Sequence, residues 1–166
     1  VSLNRPEFTD LQFMPEGGYL IADMPVKVAF KAINEDGSGA DVSGKIYDSK
    51  GHEITTFSST YKGMGSFSFS PEGAETYSAK INFSNGISRV YPLPAIKTSG
   101  TMLSINNYLY RDSCEVLIKT SPEIATQGKR YLLVGRARGI PCYSALIGIK
   151  NNGTRLLIDK KMFPTG

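Results

Sequence analysis

Tryptophan is absent from this chain, and histidine occurs once, at position 52. A single histidine cannot build a multi-histidine metal site. His52 lies beside a turn in "SKGHEI", where a solvated turn residue is the expected role. Helical periodicity is missing as well: no window joins a 3.6-residue repeat of apolar positions to capping residues. No run is long and apolar enough to cross a bilayer. No positive stretch followed by an apolar segment opens the chain, so no signal peptide is visible. Val1 stands where a Met would start a chain, and "MFPTG" stops where an extended segment would enter a turn; both ends read as cut from something longer. There are only two cysteines, Cys114 and Cys142. Cys114 shares strand parity with Val116 and Ile118, which predicts a free thiol facing a core, where cysteine acts as a small apolar residue. A Cys114–Cys142 bridge is the alternative, and it would need an oxidising compartment and suitable geometry.

What remains is rich in Val, Ile, Thr, Ser, Phe and Tyr, punctuated by 17 Gly and 9 Pro among 166 residues. That mixture describes short strands joined by tight turns. In "VKVAFKAI", Val26, Val28, Phe30 and Ala32 share one face, while Lys27 and Lys31 take the other. "DVSGKIYD" continues with Val42 and Ile46. "GSFSFSP" sets Phe67 and Phe69 against Ser66, Ser68 and Ser70, and "TYSAKINF" aligns Tyr77, Ala79 and Ile81. "DSKG" at 48–51, "SNG" at 84–86 and "KNNG" at 150–153 read as turns. "TMLSI", "CEVLIKT", "RYLLVGRA", "CYSALIGIK" and "TRLLID" are strand candidates in the second half. The fold class predicted is all-β, as tandem antiparallel sandwiches.

Charge divides the chain. Through Pro94 there are 8 Lys and Arg against 11 Asp and Glu; from Ala95 onward the count is 11 against 4. Pro92 and Pro94 in "YPLPAIKTSG" remove ladder donors and stiffen an extended segment. The expected organisation is a first sandwich over residues 1–94, with a linker at 1–8, and a second over 95–166. About 70 residues is small for a complete sandwich, which leaves both a complete and a truncated second module open.

The tripeptide Pro-Glu-Gly occurs twice, at Pro15-Glu16-Gly17 and Pro71-Glu72-Gly73, each after an alternating aromatic segment and before another strand. Proline ends ladder pairing and glycine supplies the positive φ of a turn, so a turn is favoured over a catalytic Glu16. The order of motifs is also distinctive. An aromatic-x-Pro-Glu-Gly-Gly opening leads to Val-x-Phe-Lys-Ala, a Gly-rich hairpin, Gly-x-Ile-x-Asp-x-x-Gly, and Gly-x-Gly-x-Phe-x-Phe-x-Pro before a Tyr-containing strand. Over about Leu11 to Ile81 this resembles the macroglobulin-like domains of bacterial alpha-2-macroglobulin-type proteins. It is also similar to modules at the front of some outer-membrane receptor-like proteins of gram-negative bacteria. "LPAIKTSGTMLSI" and "YLLVGRARGIPCYS" resemble, less distinctively, the module that follows.

The resemblance implies seven-stranded antiparallel sandwiches in tandem and a noncatalytic structural or protein-interaction role in a large cell-envelope or secreted protein. The implied location is periplasmic, outer-membrane-associated or extracellular. The implied partners are neighbouring domains of the same polypeptide and another envelope protein or glycan; nucleic acid is not expected, because no aromatic-basic interleaving or recognised nucleic-acid module appears. The superfamily's reactive thioester motif has no counterpart: Cys114 is followed by "EVL" and Cys142 by "YSA". No enzyme activity and no cofactor is expected. The alternative reading is a glycan- or surface-binding adhesin module.

Four stretches carry candidate chemistry. "NEDGSGADVSGK" resembles a calcium loop, but Lys45 stands where a bidentate Glu is needed; a hairpin is favoured, with Asp36 and Asp41 left as weak calcium candidates. Gly63 to Gly65, in "GMGSF", opens an alternating strand rather than a helix, so close backbone packing or a bulge is favoured over a phosphate loop. Lys129, Arg130, Arg136, Arg138, Lys160 and Lys161 could form a basic face for a lipid headgroup or acidic glycan, although a solvated face is favoured, with Arg136 and Arg138 expected on one strand face. Tyr108 and Tyr110 in "NNYLYRD" could stack on sugar rings, although core packing is favoured.

Overall fold

The computed structural model describes residues 9–82, 88–149 and 153–164. About 59% of the described residues are strand and 5% helix. The linker at 1–8, the turn at 84–86 and most of the turn at 150–153 lie outside the described residues. Two compact units divide the chain, Val1–Thr98 and Ser99–Gly166.

In the first unit, β1 (Thr9–Pro15), β3 (Val26–Asn34) and β6 (Met64–Phe69) form an antiparallel sheet in the order β1-β3-β6. A second antiparallel sheet has the order β5-β4-β7-β8, from β4 (Ser43–Tyr47), β5 (Glu53–Ser58), β7 (Ser78–Asn82) and β8 (Ser88–Pro92). Alternation dictates the burial. Val26, Val28, Phe30 and Ala32 are buried, while Lys27 and Lys31 are exposed. Rings from both sheets meet in the core: Phe57 of β5 stands 5.0 Å from Phe30 of β3 and 5.6 Å from Phe67 of β6. Phe13 joins them edge-on at 6.1 Å from Phe57. Tilted and edge-to-face contacts of this kind add to the burial of the rings.

One pair of strands is parallel and very short: β2 (Leu20–Ile21) runs beside β9 (Ile96–Lys97). Leu20 and Ile21 are buried, Lys97 O accepts from Ala22 N at 2.9 Å, and Leu93 is buried with its N donating to Tyr77 O at 2.9 Å. The Pro92-Leu93-Pro94 segment, read as a junction, is thus anchored in the first unit.

The second unit has a sheet in the order β10-β11-β14, built from β10 (Thr101–Asn106), β11 (Ser113–Thr120) and β14 (Gly153–Asp159). A ribbon of β12 (Arg130–Ala137) and β13 (Ile140–Gly148) completes it. Val116, Ile118, Ile147 and Ile158 form the buried centre, and Leu103, Cys114, Leu133 and Tyr143 pack against it. Cys114 therefore lies on the core side with Val116 and Ile118. Both cysteines are free thiols. A single helical turn, α1 (Pro122–Ala125), escaped the sequence reading. Its signal is the Ser121-Pro122 pair, with proline at the first helical position.

Candidate functional site

Glycine geometry explains the motifs of the first unit. Gly18 N donates to Pro15 O at 2.9 Å, closing a turn in which Gly17 has φ 82°. Positive φ at the third turn position is the glycine signature of a type II turn. Glu16 N donates to Lys27 O at 2.8 Å and so extends the β1–β3 ladder. The Gly-x-Gly stretch is close packing of backbone. Lys62 (φ 45°) and Gly63 (φ 75°) are the two central residues of the hairpin closed by Tyr61 and Met64. Two successive positive φ values make it the turn type whose twist matches that of the strands. A Cβ on Gly63 would overlap Ala32 O, and one on Gly65 would meet the Phe30 ring and Ser58 O, both at 2.6 Å.

The second Pro-Glu-Gly is not a copy of the first. Pro71 is fully buried and its carbonyl accepts from Asp23 N at 2.7 Å. The positive φ falls on Ala74 (65°) instead of Gly73. Glu72 N is held by the Tyr77 hydroxyl at 2.9 Å.

The polar candidates of this unit serve turns. Asp36 accepts from Ser38 N at 2.9 Å and from Ser38 Oγ at 2.6 Å, and these bonds hold its carboxyl below the ordinary range. Asp41 is exposed on the far side of Gly39 in sequence. Among the described residues, no group of three His, Cys, Asp or Glu gathers that could hold a metal ion. His52 Nδ1 lies 2.9 Å from Asp48 Oδ2, and its side chain is 71% exposed. Asp48 also accepts from Lys50 N and His52 N. Burial pushes the Asp48 carboxyl up, but the hydrogen bonds from His52 and Lys50 outweigh it and hold it below its ordinary value. Glu75 clasps the same turn: it accepts from Ser49 Oγ at 2.5 Å and lies 3.3 Å from Lys50 Nζ. The Ser49 bond is the main cause of its lowered pKa.

In the second unit, two expectations are corrected. Tyr108 and Tyr110 are not core residues. They sit in the loop after β10, with Tyr108 97% exposed. Alternation had placed them on one strand face, but Asn106 stops the strand: its Oδ1 accepts from Tyr108 N at 2.9 Å and Leu109 N at 3.1 Å, a local bond that competes with the ladder. Lys160 then fixes the loop from beneath. Its Nζ donates to the carbonyls of Asn107 (2.7 Å), Tyr110 (2.8 Å) and Arg111 (3.1 Å). An ammonium has three donors, and all three serve the loop. Nor do Arg136 and Arg138 share a strand face. Arg136 is on β12, whereas Arg138 (φ 50°) and Gly139 (φ 80°) form the two-residue hairpin between β12 and β13. Lys160 thus spends its ammonium on carbonyls of the loop.

No family model matches the chain, and a search of curated proteins finds no significant relative.

One feature of the second unit had no sequence signal that single-strand patterns could show. A cleft of about 670 Å³ opens between β10 and β12. Leu103, Cys114, Val116, Leu133, Ile158 and Phe163 are among its lining residues, and the Phe163 ring packs close to Gly135. Elsewhere along the two strands, Thr101 Oγ1 and the Tyr131 hydroxyl meet at 2.8 Å.

Proposed function

We propose that this chain is a noncatalytic structural and protein-interaction module of a larger macroglobulin-like envelope or secreted protein. The observation that carries the reading is what the residues of the resemblance do. The Pro-Glu-Gly-Gly opening makes a turn, the Val-x-Phe-Lys-Ala strand fills the core, and Gly63 and Gly65 admit backbone and ring contacts that a Cβ would block. A motif whose members all serve turns and packing is the motif of a scaffold. The Asp48–His52 turn, the most polar constellation of the first unit, is likewise held closed by its own bonds and by Glu75.

The test is the size and compartment of the native polypeptide. Mass spectrometry of fractionated source cells should recover peptides of this sequence from a protein far larger than 18.1 kDa, in the envelope or secreted fraction. A free protein of that mass in the cytosol would overturn the reading.

One observation favours the glycan-binding alternative. Lys160 holds the loop that presents Tyr108 and Leu109, which are 97% and 56% exposed. A fixed aromatic tip loses little entropy on binding. Glycan-array binding abolished by Tyr108→Ala, with the fold intact, would establish it; an array without signal would dismiss it.

A further inference from the structure

We infer that the cleft of the second unit binds an extended peptide that alternates apolar and acidic residues, added as a strand along β12. The inference goes beyond the scaffold reading and stands on the second unit alone.

Three observations converge. First, β12 pairs with β13 on one side, and among the described residues no strand pairs with its other side. An unpaired edge is a row of donors and acceptors ready for another chain. Second, the cleft lies beside the part of β12 formed by Leu133, Val134, Gly135 and Arg136. Val134 and Arg136 line it although they belong to the outward parity of β12, whose burial alternates exposed and half-buried along its whole length. The inward positions of an added strand would meet Leu103, Val116, Leu133 and Ile158, which calls for apolar side chains. The cleft's volume falls in the range of ordinary ligand sites.

Third, charge sets the outward positions. Arg130 and Arg136 flank Leu132 and Val134 on the exposed face of β12. They stand about 20 Å apart at the rise of a strand. Arg136 donates one bond, from Nη2 to Gly139 O at 2.7 Å, and a guanidinium has five N–H groups. The surrounding unit, Ser99–Gly166, carries ten Lys and Arg against four Asp and Glu. Carboxylates on the outward positions of the added strand match this field, and lysines do not.

The probe is a fluorescein-labelled synthetic peptide of about eight residues, the length of an ordinary strand, alternating valine and glutamate. Fluorescence anisotropy with the whole chain should show saturable binding. A valine–lysine peptide of equal length should bind at least about tenfold more weakly, and Arg136→Glu should weaken the glutamate peptide about fivefold or more. Two further peptides carry N-methyl groups on alternate residues, one set on each edge. Strand addition predicts that one set abolishes binding and the other does not. Absence of saturable binding overturns the proposal, as does equal binding of the lysine peptide or of both N-methylated peptides. If dodecanoate, and not the peptide, shifts the NMR methyl signals of Leu103 and Leu133, the cleft takes an acyl chain and the proposal fails. The comparisons between peptides keep the test decisive even if Arg136→Glu misfolds.

Discussion

Gly17 and Gly63 hold backbone shapes that other residues resist, and for different reasons. Gly17 takes a positive φ of 82° at the third position of its turn. Gly63 combines a φ of 75° with a contact to Ala32 O that leaves no room for a Cβ. Gly17→Val should therefore cost about 1–2 kcal/mol through left-handed strain and β-branching. Gly63→Ala should cost at least about 2 kcal/mol, because strain and overpacking add. Glu16→Ala should change stability by no more than about 1 kcal/mol, the ceiling for a surface interaction. Denaturant melts read by tyrosine fluorescence, in a chain without tryptophan, compare the three. A large loss from Glu16→Ala beside a silent Gly17→Val would make the carboxylate the constrained group.

At the scale of elements, the turn between β4 and β5 is tied to the segment before β7 by Glu75, and this linkage sets a pH dependence. The Asp48 and Glu75 carboxyls sit below their ordinary values of 3.8 and 4.5 when folded. A lowered folded pKa contributes stability that is fully present above the ordinary value and is lost as pH falls through the folded one. Thermal melts should thus hold level down to about pH 5 and then decline. Asp48→Asn with Glu75→Gln should make that acid limb shallower, leaving the part that Asp36 contributes; an unchanged limb would show that the clasp contributes nothing. These elements differ in how far a sequence reveals them. β3, β6 and β7 were legible because one face is core and the other water, which writes a period of two into the residues. β2 and β9 were not, since two-residue strands carry no period and form only because distant segments meet. The Tyr108 loop misled for a related reason: alternation continued past Asn106, but the Asn106 side chain had already taken the backbone donors. Arg138-Gly139 was passed over as a turn because a non-glycine residue at positive φ leaves no compositional mark. The cleft beside β12 was illegible altogether, being a relation between two sheets.

For the molecule as a whole, the claim on which the rest depends is that the first unit is a self-sufficient sandwich module. Its seven sheet strands close over the Phe13–Phe30–Phe57–Phe67 cluster, and β9 completes it by pairing with β2. The direct measurement is chemical denaturation of two shortened chains, residues 1–98 and residues 1–94, followed by circular dichroism. Residues 1–98 should fold alone, with a β spectrum and one cooperative transition. Residues 1–94 should be weaker by about 2 kcal/mol, for the loss of the β2–β9 hydrogen bonds at roughly 1 kcal/mol each. A 1–98 chain that stays disordered while the whole chain folds would contradict it.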